Sequence, residues 1–305
     1  MIAGSKLEKV IRSGQFAVTG ELGPPKSADL TMLKQHGEAL RNHVEAFNIT
    51  DNQTAIVRTS SIACGAVLVQ MGLEPIIQIT VRDRNRIGIQ GDVLGAVALG
   101  IKNILCLSGD HQKFGNEQQA KGVYDIDSMQ LLDGLRKLRD EGRFIGGDKV
   151  GAPVSYYLGA VANPFADPFE YRVDRLEKKI AAGASFIQTQ CIFDLARFKK
   201  WMELVRERGL HKKVAIMGGV TPIKSLGAAR YMKNNVSGII IPDEIITRLQ
   251  GAKKKKEEGL KIAIETIQQL KEIEGVAGVH VMAIAWEEVV PEIVERAGLY
   301  PRPKL

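Results

Sequence analysis

Cysteine and histidine are scarce in this chain of 305 residues, and their scarcity argues against several kinds of metal site. The three cysteines, Cys64, Cys106 and Cys191, lie far apart and form no CxxC pair, so this chain alone cannot build a zinc knuckle or an iron–sulfur cluster. The five histidines also lack the spacing of metal ligands. We therefore expect no metal ion, and we interpret each cysteine as a small buried hydrophobe.

Long apolar runs, aromatic clusters and nucleotide-binding loops are absent as well. No segment approaches the roughly 20 apolar residues of a membrane span, and residues 1–6 lack a signal-peptide core, so we expect a cytoplasmic protein. Aromatic residues make up 6% of the chain and none is interleaved with basic residues, which argues against nucleic-acid binding. Neither GxGxxG nor GxxxxGK[ST] occurs.

Positive charge is in excess, with a net charge of +7 that can attract acidic ligands or partners. Much of the excess is local. The run Lys253–Lys256 is followed directly by Glu257 and Glu258, so we interpret it as a solvated helix face that these two acids balance.

Apolar runs of strand length alternate with segments of helical period along the whole chain. The strands are predicted near 16–21, 45–50, 75–81, 102–107, 149–157, 185–190, 213–217 and 278–284. Helices are predicted near 27–43, 59–71, 86–99, 126–141, 168–183, 194–208, 222–234 and 286–297, with further helix near 242–250 and 252–274. Eight strands in a repeating strand–helix order predict an α/β fold, a (β/α)8 TIM barrel, as a single domain over residues 1–305.

Glu21 is the most informative residue. It ends the strand-like run Phe16–Glu21, and Pro24 and Pro25 then prevent the strand from continuing. A carboxyl aimed from a strand end is a candidate general acid, although an exposed turn acid is the plainer interpretation.

Other polar residues are predicted at the carboxyl ends of strands, where a parallel barrel carries its active site. They are Thr50, Asp51, Asn52, Gln78, Thr80, Asp110, Tyr156, Gln188 and Gln190. Acids and amides dominate this set, and no Ser/His/Asp or Cys/His grouping suggests acyl transfer. Backbone amides at the barrel mouth could still bind a phosphate-bearing ligand. A helix start at Leu107–Asp110 is one candidate anion site.

Five ordered motifs resemble those of methylenetetrahydrofolate reductases. They are Glu21-Leu-Gly-Pro-Pro-Lys26, Asn48-Ile-Thr-Asp51, Leu107-Ser-Gly-Asp110, Ala182-Gly-Ala184 and Gln188-Thr-Gln-Cys-Ile-Phe-Asp194. The resemblance spans nearly the whole chain and is closest to the single-domain bacterial form, including that of anaerobic one-carbon-fixing bacteria. It implies a flavin-binding barrel that reduces 5,10-methylenetetrahydrofolate to 5-methyltetrahydrofolate.

The resemblance also implies roles for individual residues. Glu21 matches the proposed general acid, Asp110 the carboxylate that stabilises the cationic intermediate near the flavin, and Gln190 a glutamine that binds the pterin. Thr50, Gln78, Thr80, Asn163 and Lys179 match flavin contacts, and Leu226 stands at a substrate-binding position. Each has a plainer interpretation: a helix cap for Asp110, an interior amide for Gln190, strand residues for the threonines and a solvated lysine for Lys179.

Departures from the family pattern concern the cofactor and the electron donor. Ser108, Gln78, Asn163 and Arg172 differ from the residues that many relatives have there, and several of these positions touch the outer half of FAD in relatives, so FAD and FMN both stay open. Leu226 replaces a stacking phenylalanine and Trp286 stands near a frequent arginine, which casts doubt on NADH as direct donor. Relatives often work with a separate subunit that carries iron–sulfur or zinc sites, and such a partner or an oligomer is open here. The alternatives are a pterin-binding barrel without redox chemistry and an idle binding subunit of a complex.

Overall fold

Eight parallel strands close into a barrel in the computed structural model, which describes residues 1–236 and 238–304. Each strand pairs with its neighbours in chain order, and β8 pairs with β1. The strands are β1 (Ala17–Leu22), β2 (Ala46–Ile49), β3 (Pro75–Thr80), β4 (Asn103–Leu107), β5 (Tyr157–Ala162), β6 (Phe186–Cys191), β7 (Ala215–Val220) and β8 (Val276–Val281). The predicted (β/α)8 architecture is confirmed.

All ten predicted helices are present, and one further helix precedes the first strand. The helices are α1 (Lys6–Arg12), α2 (Thr31–Leu40), α3 (Ser61–Gln70), α4 (Arg86–Ala98), α5 (Ser128–Asp140), α6 (Tyr171–Ala181), α7 (Leu195–Glu207), α8 (Leu226–Asn235), α9 (Asp243–Gly251), α10 (Lys255–Lys271) and α11 (Val290–Arg296). Polar side chains cap several starts, as where Asp127 and Gln130 form a capping box before α5. In residues 1–236 and 238–304, no helix is both long and apolar enough to cross a membrane.

The lower part of the barrel interior is apolar. Ala17, Ala46, Ile76, Leu105, Tyr157, Phe186 and Met217 form one buried cluster there. Leu7 and Val10 of α1 belong to the same cluster and are fully buried. Because α1 precedes β1, it closes the amino-terminal end of the barrel and leaves the other end as the entrance.

The predicted strand at 149–157 is wrong, since β5 begins only at Tyr157. Gly159 makes this segment look like a turn, yet it is needed inside the barrel, because a Cβ there would lie 2.2 Å from the ring of Phe186. Tyr156 therefore stands before the strand, and its hydroxyl donates to the carbonyl of Leu135 at 2.6 Å. It does not belong to the polar set at the carboxyl ends.

Candidate active site

Polar side chains gather where the strands end, at the carboxyl-terminal mouth that carries the active site in (β/α)8 barrels. Alternation turns every second residue of a strand inward, so these residues continue the inward rows above the apolar cluster. They are Glu21 of β1, Thr50 after β2, Gln78 and Thr80 of β3, Gln188 and Gln190 of β6, and His280 of β8. A ligand that enters the mouth therefore meets carboxylate, amide, hydroxyl and imidazole groups.

A buried hydrogen-bonded network forms the floor of the mouth. The side-chain amide of Gln188 donates to Asn48 Oδ1 at 3.0 Å and to Thr19 Oγ1 at 3.1 Å, and Asn48 donates back to Gln188 Oε1 at 2.6 Å. Thr19 Oγ1 also lies 3.0 Å from His280 Nδ1. Because these side chains bond one another in a buried position, they fix the orientation of the imidazole.

Glu21 stands on this floor beside His280. Its Oε2 lies 3.7 Å from His280 Nε2, and the Glu21 side chain is 12% exposed. Thr19 accepts from Gln188, so its own proton is free for His280 Nδ1, and we assign the imidazole proton to Nε2, which faces Glu21. The carboxyl is thus shielded on the imidazole side and open to the mouth on the other.

Cys191, the last residue of β6, stays protonated. Burial raises the pKa of its thiol to about 11, and the charge of Glu21 adds to the shift. Its Sγ lies 2.9 Å from Thr221 Oγ1. The floor therefore offers a carboxyl and an imidazole for proton transfer, and no thiolate nucleophile at neutral pH.

Asp51 binds two of the neighbouring groups. Its Oδ2 accepts from both the backbone amide and the hydroxyl of Thr80 at 2.9 Å, and Arg84 donates to both of its oxygens at 2.7 and 2.9 Å.

Thr50 is 1% exposed, and its hydroxyl has no hydrogen-bond partner within the described chain. A buried hydroxyl at the mouth without a partner is suited to a polar group of a ligand.

Asp110 holds a strained turn. Its Oδ2 accepts from the backbone amide of Thr54 at 2.9 Å. Asn52, Thr54 and Ala55 have φ angles of 46°, 58° and 55°, in the left-handed region that non-glycine residues rarely adopt. Such residues cost about 1–3 kcal/mol each and cluster at functional sites. The side chain of Asp110 therefore orders the loop after β2.

The helix start that we expected at Leu107–Asp110 is wrong. β4 is followed by an irregular loop and a short 3-10 turn, Gln112–Phe114, and α5 begins only at Ser128. The cap of α5 is Asp127. The cap interpretation of Asp110 and the anion site at this helix start both fail for the same reason.

Asn163 and Gln190 lie together on the β5–β6 side of the mouth. Asn163 Nδ2 donates to the carbonyl of Gly238 at 3.3 Å, and a Cβ at Gly238 would lie 2.4 Å from this nitrogen and 4.0 Å from Gln190 Nε2. Gln190 Oε1 accepts from the amide of Cys191 at 2.9 Å. Within residues 1–236 and 238–304 the carboxamide nitrogen of Gln190 donates to no group, so it is suited to a ligand.

Lys179 reaches from α6 to the end of β5, where its Nζ donates to the carbonyl of Val161 at 2.5 Å. Burial, together with the smaller effect of the charge of Arg175, lowers the pKa of this amine to about 8. It is thus a shielded cation, rather than the solvated helix lysine of the plainer interpretation, and an anionic ligand would stabilise its charged form.

The two residues at the β7–β8 side pack mainly against apolar neighbours. Leu226 begins α8 and is half-buried beside a cluster that includes Ile223 and Met282. Trp286 is 7% exposed within the main core, and Lys256 Nζ lies 5.1 Å from its ring centroid. Trp286 therefore packs at the rim of the barrel rather than presenting its ring to a ligand.

Sequence reasoning missed His280 as the neighbour of Glu21 and Arg84 as the partner of Asp51. The alternation of β8 could have indicated that His280 points into the barrel, because it shares a face with Gly278. Gly278 lies against β1, where an added Cβ would be 2.4 Å from the carbonyl oxygen of Ala17.

The family model described as methylenetetrahydrofolate reductase matches residues 6–298. The chain belongs to the methylenetetrahydrofolate reductase family. Curated relatives include a probable methylenetetrahydrofolate reductase (NADPH) of Caenorhabditis elegans, 25% identical over 82% of this chain and 36% of the relative. Methylenetetrahydrofolate reductase 1 of Schizosaccharomyces pombe is 26% identical over 66% of this chain and 32% of the relative. The chain thus spans about a third of the length of these relatives.

Solved structures support the fold. An uncharacterized Clostridium thermocellum protein, described as binding two copies of 5-methyl-5,6,7,8-tetrahydrofolic acid, aligns with a TM-score of 0.67 and 17% identity over 97% of this chain and 98% of its own. The structure of 2,3-dimethylmalate lyase aligns more distantly, with a TM-score of 0.51 and 11% identity over 100% of this chain and 91% of its own. At these identities the likeness concerns the barrel alone.

Proposed function

We propose that this chain reduces 5,10-methylenetetrahydrofolate to 5-methyltetrahydrofolate with a hydride from reduced flavin. The observation that carries the proposal is the position of Glu21, a shielded carboxyl at the mouth of a barrel of this family, 3.7 Å from an imidazole with a fixed orientation. Family membership supplies the reaction class, and the folate that the Clostridium thermocellum barrel is described as binding accords with it.

The residues at the β2–β6 side of the mouth suit a flavin. The buried hydroxyl of Thr50 has no partner in the described chain, and Lys179 is a shielded cation. Thr50, Gln78, Thr80, Asn163 and Lys179 would hold the cofactor, and Asp110 would supply a carboxylate beside it. A flavin bound there supplies the hydride that the reduction needs.

Glu21 delivers the proton in this mechanism. The five-membered ring of the substrate opens when the nitrogen that leaves the methylene carbon is protonated, and a carboxyl at the mouth can reach that nitrogen. His280 lies behind Glu21 and holds a proton on Nε2, so it positions the acid. Ring opening creates a cationic iminium, which the carboxylate of Asp110 stabilises. The carboxamide nitrogen of Gln190 binds the pterin.

The electron donor is part of the proposal. Leu226 presents an aliphatic surface where relatives stack a phenylalanine, and Trp286 is packed into the core. The chain therefore takes electrons poorly from NADH or NADPH and receives them from the iron–sulfur sites of a separate subunit. Leu226→Phe improves nicotinamide or folate binding only by the stacking increment of about 1 kcal/mol. Rapid, saturable flavin reduction by NADH in the isolated protein would contradict this donor assignment.

The flavin is FAD by family likeness, with FMN as the alternative. Arg172 donates to the carbonyls of Pro168 and Asp167 at 3.2 Å, and Ser108 Oγ lies 3.1 Å from Ser128 Oγ. Both residues differ from those of relatives, and both side chains bond to other groups of this chain. The mass of the cofactor released by heat from the purified holoprotein distinguishes the two forms.

The first experiment is an absorption spectrum, followed by a single-turnover reaction. We expect the bands of oxidised flavin in the protein as purified or after addition of FAD or FMN. Dithionite then reduces the flavin without oxygen, and methylenetetrahydrofolate reoxidises it with formation of 5-methyltetrahydrofolate, which chromatography detects. A protein that stays colourless after flavin addition contradicts the proposal and favours a non-redox pterin-binding barrel or a non-catalytic subunit.

Glu21→Gln tests the role of the acid in the same assay. The amide keeps the shape of the side chain but carries no acidic proton, so flavin binding and reduction should persist while reoxidation by methylenetetrahydrofolate slows about 10²–10⁴-fold. Equal slowing of both half-reactions would mean that Glu21 is structural.

A further inference from the structure

Arg82, two residues beyond the end of β3, is a buried arginine that the proposed mechanism does not use. It is 2% exposed although it belongs to a loop at the mouth. Its Nε and Nη2 donate to the two oxygens of Asp83 at 2.7 and 2.6 Å. This bidentate pair balances the charge of the guanidinium and fixes its plane, so that its remaining N–H groups have a defined direction.

The remaining N–H groups join the loops that follow three successive strands. Nη1 of Arg82 donates to the backbone carbonyl of Asp110, after β4, at 3.0 Å. Nη2 donates to the backbone carbonyl of Asn52, after β2, at 3.2 Å. The backbone carbonyl of Arg82 in turn accepts from the amide of Val123 at 2.8 Å, further along the loop after β4. One residue of the loop after β3 thus holds the loops on both sides.

The backbone beside Asp110 lies directly against this arginine. Gly109 has a φ angle of 86°, and an added Cβ there would lie 3.1 Å from the Cβ of Arg82 and 3.3 Å from its Nη1. Asp110 is therefore held at two points, its carbonyl by Arg82 and its carboxylate by the amide of Thr54 at 2.9 Å. The position of the carboxylate depends on Arg82 as well as on the strained turn.

We propose that Arg82 is a positioning residue for the reduction and acts through Asp110, an inference that rests on the proposed function. The guanidinium is engaged by Asp83 and by two backbone carbonyls, so its role is to hold the loops. The stabilisation of a cationic intermediate by the carboxylate of Asp110 depends on the distance between the charges. A lysine at position 82 would keep the positive charge, but its single ammonium group cannot reproduce this planar set of bonds.

The test measures Arg82→Lys alone and combined with Asp110→Asn, in the flavin-loaded protein. A misplacement of about 1 Å can slow a reaction about 100-fold, so Arg82→Lys should slow reoxidation of reduced flavin by methylenetetrahydrofolate about 10- to 100-fold. In the Asp110→Asn background it should add less than about twofold, because the carboxylate through which Arg82 acts is absent. The reduction potential of the flavin should rise in Arg82→Lys, since the cation is kept while the carboxylate loses its position.

Arg139→Lys is the matched control, because Arg139 has the same bonding pattern at the amino-terminal end of the barrel. Its Nε and Nη2 donate to Asp140 at 2.6 and 2.9 Å, and its Nη1 donates to the carbonyl of Tyr156, before β5, at 3.4 Å. This variant should lower the urea midpoint as Arg82→Lys does, yet keep the wild-type reoxidation rate and potential. In the apoprotein, amide hydrogen exchange over residues 52–58 should become faster only in Arg82→Lys.

Asp83→Asn is a milder second variant, which decides the question if Arg82→Lys does not retain flavin. It removes the charge that anchors the guanidinium, and its effect on reoxidation should also shrink in the Asp110→Asn background. Equal slowing with and without the Asp110 carboxylate, equal effects of the Arg82 and Arg139 variants, or a wild-type rate in Arg82→Lys would overturn the inference. Absence of reoxidation in the wild-type protein would instead contradict the proposed function.

Discussion

The carboxylate of Glu21 and the imidazole of His280 lie 3.7 Å apart, although they come from the first and the last strand of the barrel. Closure of the sheet brings them together, since β8 pairs with β1 and Thr19 aligns with His280 in the register. The same register brings Thr19 Oγ1 to His280 Nδ1. The pairing of β8 with β1, which closes the barrel, therefore positions the candidate acid beside the imidazole.

Thr19→Val should reveal how far Glu21 depends on this arrangement. Valine keeps the shape but removes the hydroxyl that bonds His280 and Gln188, so buried polar groups lose a partner at a cost of about 1–3 kcal/mol. We expect a lower urea midpoint, and a shifted pH profile for reoxidation of reduced flavin by methylenetetrahydrofolate. Thr19→Ser keeps the hydroxyl and should restore both. An unchanged pH profile in a destabilised valine variant would limit Thr19 to a structural role.

Lys179 should make flavin binding depend on pH. Burial lowers the pKa of this amine to about 8, so in the free protein it is charged below this pH and loses its charge above it. A bound flavin phosphate favours the charged form, and the affinity should therefore fall as the pH rises from about 7 to 9. Fluorescence titration of the apoprotein with FAD and with FMN measures this slope. Lys179→Met should bind more weakly at pH 7 and lack the slope; a wild-type affinity that stays constant would place the phosphate elsewhere.

Two glycines within helices should respond to alanine in opposite ways. A Cβ at Gly259 would lie 1.8 Å from the carbonyl oxygen of Ile223, whereas a Cβ at Gly91 of α4 meets no atom within 4 Å. Gly91→Ala should stabilise the protein by up to about 1 kcal/mol through helix propensity. Gly259→Ala must displace α10 from the β7 loop and should lower the midpoint of thermal unfolding. Equal effects of the two substitutions would show that α10 can move away at no cost.

The repeating strand–helix pattern was enough to predict the barrel, because hydrophobic period and chain order are local features. The prediction of β5 failed because the sequence does not show why a glycine stands inside this strand. Gly159 leaves room for the ring of Phe186, which lies on the neighbouring strand β6. His280 was overlooked for a similar reason: its contact with Thr19 joins residues 261 positions apart. The two acids after the lysine run are paired with Arg248 and Arg296, which the sequence order does not reveal.

The candidate site residues fall into two groups, those that the sequence alone could place at the mouth and those whose position depends on distant contacts. Those at strand ends, such as Glu21, Thr50 and Gln190, follow from the position of the strands, and the structure brings them to one mouth. The irregular loops are different. The left-handed φ angles of Thr54 and Ala55 depend on contacts with the loop after β4, so the link from Asp110 to this turn could be seen only in the folded chain.

Asp110→Asn separates the charge of this residue from its contact with the turn. Asparagine can still accept the hydrogen bond from the amide of Thr54 through its Oδ1, so the turn should stay ordered while the negative charge is lost. We expect the reduction potential of the bound flavin to rise, because the anionic reduced form is no longer opposed by a carboxylate, and we expect methylene transfer to slow. Potentiometry with a reference dye gives the potential, and the two half-reactions give the rates. Asp110→Ala should show the same rise and also increase proteolytic cleavage near residues 52–58, because the strained turn loses its acceptor. A potential that falls, or one that stays unchanged with normal turnover, would place Asp110 away from the flavin and leave it only the role of ordering the loop.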